Sequence, residues 1–163
     1  MSVTLLENAS EKLDSLRTLS SLSAATLRNF TKRLELILSQ DHKHISVRDT
    51  DFSDEFTVFC TQLRKDFDTH LDFWQQARSD LRTAKFPNEY ACMLAVKSFS
   101  LKAKTLSRSA DDFTTAYDEF NRFYKKYTLA KLPVWILTSC SDDLNNLTGK
   151  ILFLSRELSK KTE

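Results

Sequence analysis

The chain has a single glycine and only two prolines in 163 residues, and backbone reversals and left-handed positions ordinarily draw on those residues. That scarcity excludes a turn-rich β architecture and any Gly-rich phosphate loop. Cysteine is also sparse. Cys60, Cys92 and Cys140 are odd in number and far apart, so neither a disulfide framework nor a paired-cysteine metal knuckle is indicated, and buried reduced thiols are expected. Long apolar runs are missing as well. The longest, 132 to 137, is far too short to cross a bilayer. The first residues carry no basic segment ahead of an apolar stretch and reach Glu7 early. No secretory signal is read there, and an intracellular, cytoplasmic setting is expected. Sequons at Asn8, Asn29 and Asn146 fall within amphipathic patterns and are read as chance matches.

No charge of one sign dominates. A formal net charge of +2 gives no global field to attract nucleic acid, and nucleic-acid binding is not expected. Hydrophobic residues at 41%, twelve Phe among them, beside 28% charged residues describe a folded chain with a bulky core and a solvated exterior. The length suits one domain spanning 1–163.

What is present is helical periodicity. Leu6, Leu13, Ser20, Leu27 and Leu34 form one sevenfold row, and Ala9, Leu16, Ser23, Phe30 and Ile37 a second, which predicts a helix from about 3 to 40. The polar centre at Ser20 and Ser23 marks either a kink or a layer where a partner helix approaches over small side chains. Residues 41 to 51 lose the period and are predicted as a loop. A second helix is predicted from Ser53, with Asp54 and Glu55 favouring its N-terminus, to just before Phe86 and Pro87. Its stripe runs through Phe56, Phe59, Leu63, Phe67, Leu71, Trp74 and Leu81. A third helix, over about 88 to 128, carries Cys92, Phe99, Leu106, Phe113, Phe120 and Tyr127 at sevenfold spacing. At about 40 residues it would reach roughly 60 Å. Ser109 and Asp112 have capping-box spacing, so a break near Ser109 would give five helices. The last helix, after Pro133, has a stripe from Leu137 through Cys140, Leu144, Leu147, Ile151 and Leu154 to Leu158. The predicted fold is an all-α antiparallel four-helix bundle with long, coiled-coil-like helices.

Chemistry is hard to assemble from these residues. A di-iron centre in such a bundle needs Glu-x-x-His motifs, and the chain has none. The Asp41, His42 and His44 cluster, with Asp49 and Asp51 near it, reads as solvated loop in preference to a metal site. His70, at the edge of an apolar stripe, reads as a boundary residue rather than a general base. No catalytic, metal or cofactor residues are assigned, and a non-enzymatic role is expected.

Two local features suggest binding instead. Residues 97 to 108 hold four basic residues and no acid. Lys97, Lys104 and Arg108 share a helix face that Arg122 and Lys126 rejoin, and an Asp118 to Arg122 pair would lie beside it. Lys102 and Lys125 add to the positive charge of this helix. The second feature is the aromatic and basic run from Phe120 to Tyr127, followed by the apolar segment ending at Leu137, from which Tyr124, Trp135 and Ile136 are candidate exposed residues. Acids outnumber bases nine to five between 41 and 80, whereas 82 to 108 has six bases and one acid. That layout could orient a partner or pair two copies of the chain. The expected role is a scaffold, adaptor or assembly module that binds a protein or self-associates. The alternative is a bundle that binds anionic lipid through Lys97, Lys102, Lys104, Arg108, Arg122, Lys125 and Lys126 and permeabilises or remodels membranes.

Overall fold

A computed structural model describes residues 2–39, 45–87, 89–126 and 132–162, with side chains placed outside 2, 45–50 and 126. Among them the regular structure is four α-helices: α1 (Ser2–Ser39), α2 (Ile45–Thr83), α3 (Tyr90–Lys126) and α4 (Val134–Lys161). Both predicted sevenfold rows of α1 are buried from end to end. Ser20 is fully buried within the continuous helix, its hydroxyl satisfied by donating to the Leu16 carbonyl at 2.8 Å. The centre of α1 is therefore the small-side-chain layer and not a break. Across it, Ser21 donates to Ser109 of α3 at 3.3 Å.

Two expectations are corrected. The loop predicted for 41 to 51 is helical from Ile45; residues 40–44, including His42 and His44, lie outside the described residues. Phe52 supplies the physical reason. It is 1% exposed and packs edge-on to Phe30 at 5.6 Å, so apolar burial holds α2 in helical form ahead of Ser53. No glycine or proline opposes this extension. The second correction concerns Ser109, where α3 runs straight through. Ser109 is buried against α1 and its hydroxyl accepts from Ser21, so it caps nothing.

The order of helices around the bundle follows from named contacts. Asp14 meets Lys102 and Arg28 meets Asp112, so α1 and α3 are parallel neighbours. Arg64 reaches Asp143 at 2.9 Å and Arg82 reaches Glu157 at 3.5 Å, which makes α2 and α4 parallel neighbours. Arg33 with Glu55 sets α1 antiparallel to α2. Tyr117 with Thr138 and Ser100 with Ser155 set α3 antiparallel to α4. Helices α2 and α3 are then diagonal, and rings long enough to cross the core join them: Phe56 with Phe120, Phe67 with Phe113, and Trp74 with Phe99. One cluster of buried side chains draws on all four helices.

The connection from α2 to α3 must cross one end of the bundle. Phe86 is buried there and closes it. Lys161, at the end of α4, lies over the Phe86 ring and donates to the carbonyls of Leu81, Arg82 and Ala84. Its ammonium thus caps the carbonyls that α2 leaves without intrahelical partners.

Candidate functional site

The three cysteines are buried. Cys60 and Cys140 are fully buried, and burial pushes their thiols up to about 12 and about 11, so neither supplies a thiolate near neutrality. His70 is half-buried, its Nδ1 lacks a hydrogen-bond partner, and burial assisted by Lys12 lowers its affinity for a proton. Among the described residues no three His, Cys, Asp or Glu side chains converge as a metal cluster.

The outward face of α3 is different. Tyr90, Leu94, Lys97, Leu101, Lys104 and Arg108 succeed one another at alternating steps of four and three. At 100° per residue they occupy an arc of about 80°. Every one of them is exposed. Tyr90 is 77%, Leu94 49% and Leu101 65% accessible, and Lys97, Lys104 and Arg108 make no ion pair among the described residues. Behind this face, Phe99, Leu106 and Phe113 fill the core. Helix α3 is therefore amphipathic twice: one apolar stripe packs the bundle, and a shorter one, interleaved with cations, meets solvent.

The flank on the α4 side extends the surface. Phe153 is 56% accessible and, with Lys104, Arg156 and Lys160, lines a groove of about 970 Å³ between α3 and the last turns of α4. The flank on the α1 side ends it. Lys102 turns that way, bonding Asp14 at 2.8 Å and lining a smaller groove with Glu7 and Glu11.

The residues singled out from the sequence therefore separate into groups. Lys97, Lys104 and Arg108 fall together, and Lys102 is neutralised beside them. Arg122 and Lys125 are exposed at the far end of α3, about 21 Å beyond Arg108 at 1.5 Å per residue. Asp118 does not pair with Arg122, although the spacing allows it. The side chain of Lys126 lies outside the described residues, as do residues 127–131. Trp135 is 71% exposed near the start of α4, about 27 Å along the helix from Phe153. Ile136 is buried, and Tyr124 is half-buried with its ring stacked on Phe120 at 6.4 Å, which corrects their expected exposure.

Compared with known proteins, the chain matches no family model, no curated protein and no solved structure. Tyr90, Leu94, Leu101, Phe153, Arg156 and Lys160 were missed in the sequence. For the α3 members a signal existed: Tyr90, Lys97 and Lys104 form one sevenfold row, and Leu94, Leu101 and Arg108 another.

Proposed function

We propose that this protein is a non-catalytic binding module that docks through the outward face of α3 onto an acidic partner protein. One observation carries the reading: exposed large apolar side chains and unpaired cations alternate along a single helix face. Scattered exposed apolar residues are ordinary, whereas three of them on one face of a single helix with cations between them offer both the apolar and the charged contacts of an interaction surface. The apolar members supply affinity on desolvation. The cations supply register and a faster encounter with a negatively charged partner.

Partner capture on the immobilised protein tests this reading. A partner retained by wild type and by the α1 control Leu22→Asp with Leu36→Asp, yet lost by Leu94→Asp with Leu101→Asp, is the expected result. Equal loss in the control, or retention by the α3 variant, contradicts it.

An anionic membrane is the second reading, favoured by the interleaving itself, because apolar side chains at acyl depth and amines at headgroup level suit an interfacial helix. Among the described residues no helix is long and apolar enough to cross a membrane, so such binding would be peripheral. Salt-sensitive flotation with anionic but not neutral vesicles, abolished by Lys97→Glu with Lys104→Glu, would assign the surface to lipid. Absence of flotation leaves the protein partner.

A further inference from the structure

The groove where α3 meets the end of α4 concentrates positive charge beyond what its own carboxylates balance. Lys104 enters from α3, Arg156, Lys160 and Lys161 from α4, and Arg82 from the end of α2. Among the described residues that line it a single acid, Glu157, is present, and it pairs with Arg82 at 3.5 Å. The Lys161 ammonium is already bonded to the α2 carbonyls. Lys104, Arg156 and Lys160 are left lining one open groove with no ion pair among the described residues. The carboxyl-terminal ends of α2 and α4 offset this charge only partially, since each contributes about half an elementary charge.

A hydroxyl adds direction to the charge. Ser155 donates to Ser100 at 2.9 Å across the α3–α4 seam and Ser159 donates to the Ser155 carbonyl at 3.0 Å, which leaves the Ser100 hydroxyl as a donor to the groove. A guanidinium fork, two flexible ammoniums and one neighbouring hydroxyl match clustered phosphate oxygens. One carboxylate would satisfy only one of those cations.

We propose that this groove binds a ligand bearing two or more clustered phosphate groups, either free in solution or as the headgroup of a polyphosphorylated lipid. The proposal rests on the reading of this side of the molecule as its binding surface, and it names the ligand that the groove beside α3 takes. Lys104 belongs to both the groove and the α3 face, so occupation of one alters the charge of the other.

The test titrates the full chain with inositol hexakisphosphate at physiological salt by calorimetry. Wild type is expected to bind one equivalent. Arg156→Glu and Lys160→Glu are each expected to weaken binding about tenfold, as loss of a charge-assisted bond implies, and Lys32→Glu on α1 is expected to leave it unchanged. Vesicles containing phosphatidylinositol bisphosphate are compared with phosphatidylserine vesicles of equal total charge. Preference for the former, competed by inositol hexakisphosphate, assigns a lipid headgroup; soluble binding with no vesicle preference assigns a free polyphosphate. No binding, several equivalents bound, or equal weakening by all three variants overturns the proposal. Leu94→Asn with Leu101→Asn keeps the two proposals distinct, because it removes the apolar anchors of docking through α3 without placing a charge beside Lys104, and should leave inositol hexakisphosphate binding intact.

Discussion

Replacing Phe56 with alanine should be among the most damaging substitutions in this protein, and pairing it with Phe120 tests the diagonal placement of α2 and α3. Phe56 is fully buried and meets four other rings. It stacks on Phe120 at 4.8 Å with an interplanar angle of 9° and stands edge-on to Phe30 at 5.4 Å. Truncating a buried Phe to Ala costs about 3–5 kcal/mol through lost transfer energy and a residual cavity. At about 2–4 °C per kcal/mol for a chain of this length, melting should fall by roughly 6–20 °C. The crossing is tested by a double-mutant cycle with Phe120→Ala, in urea unfolding followed by helical circular dichroism. Ring pairs in contact couple by about 0.5–1.5 kcal/mol beyond area burial. Val58→Ala, at a position 69% exposed on the same helix, should stay within about 0.5 kcal/mol of wild type. A Phe56→Ala loss below about 1 kcal/mol, or no coupling between Phe56 and Phe120, would refute the proposed packing.

His70 makes stability acid-sensitive. Its proton affinity is lowered in the folded state by burial and Lys12, so the unfolded chain binds the proton first. Stability should be fully present above the ordinary histidine value of 6.5 and decline as pH falls below it, and His70→Leu should flatten that part of the profile in urea titrations. Gly149→Ala should stabilise by about 0.8–1.0 kcal/mol, because a Cβ there meets nothing within 4 Å and the residue lies within α4; a loss of stability on thermal melting would contradict this. Cys60 and Cys140 should resist a thiol-specific disulfide reagent in the folded protein and react fully in denaturant, since both are buried and protonated. Labelling before unfolding would show that the core opens locally.

The core faces were legible in the sequence because sevenfold apolar rows have one way to be buried on a helix. The rows from Leu6 to Leu34 and from Phe99 to Phe120 are buried as their spacing required. The neighbours of each helix were not legible. Periodicity says which face is buried and nothing about which helix covers it, so the parallel α1–α3 seam appears only through cross-helix contacts such as Asp14 with Lys102. Local signals at Ser53 and Ser109 were outweighed by tertiary burial of Phe52 and of Ser109 itself. The α3 surface was half legible. Its cations stood out as an acid-free run, but Leu94 and Leu101 passed unnoticed because core and exposed stripes share the sevenfold period on opposite sides of one helix. The α4 side of the groove was hidden because Arg156 and Lys160 come beside Lys104 only in the folded bundle.

The central claim is that the protein meets its partner through the outward face of α3, and site-specific photo-crosslinking tests it most directly. A crosslinking side chain placed in the full chain at Leu94 or Leu101 should yield a discrete adduct that Lys97→Glu with Lys104→Glu removes. The same group at Leu36 or Val58, exposed positions on α1 and α2, should yield none. Adducts of the same kind at all four positions, or none at Leu94 and Leu101, would contradict the account.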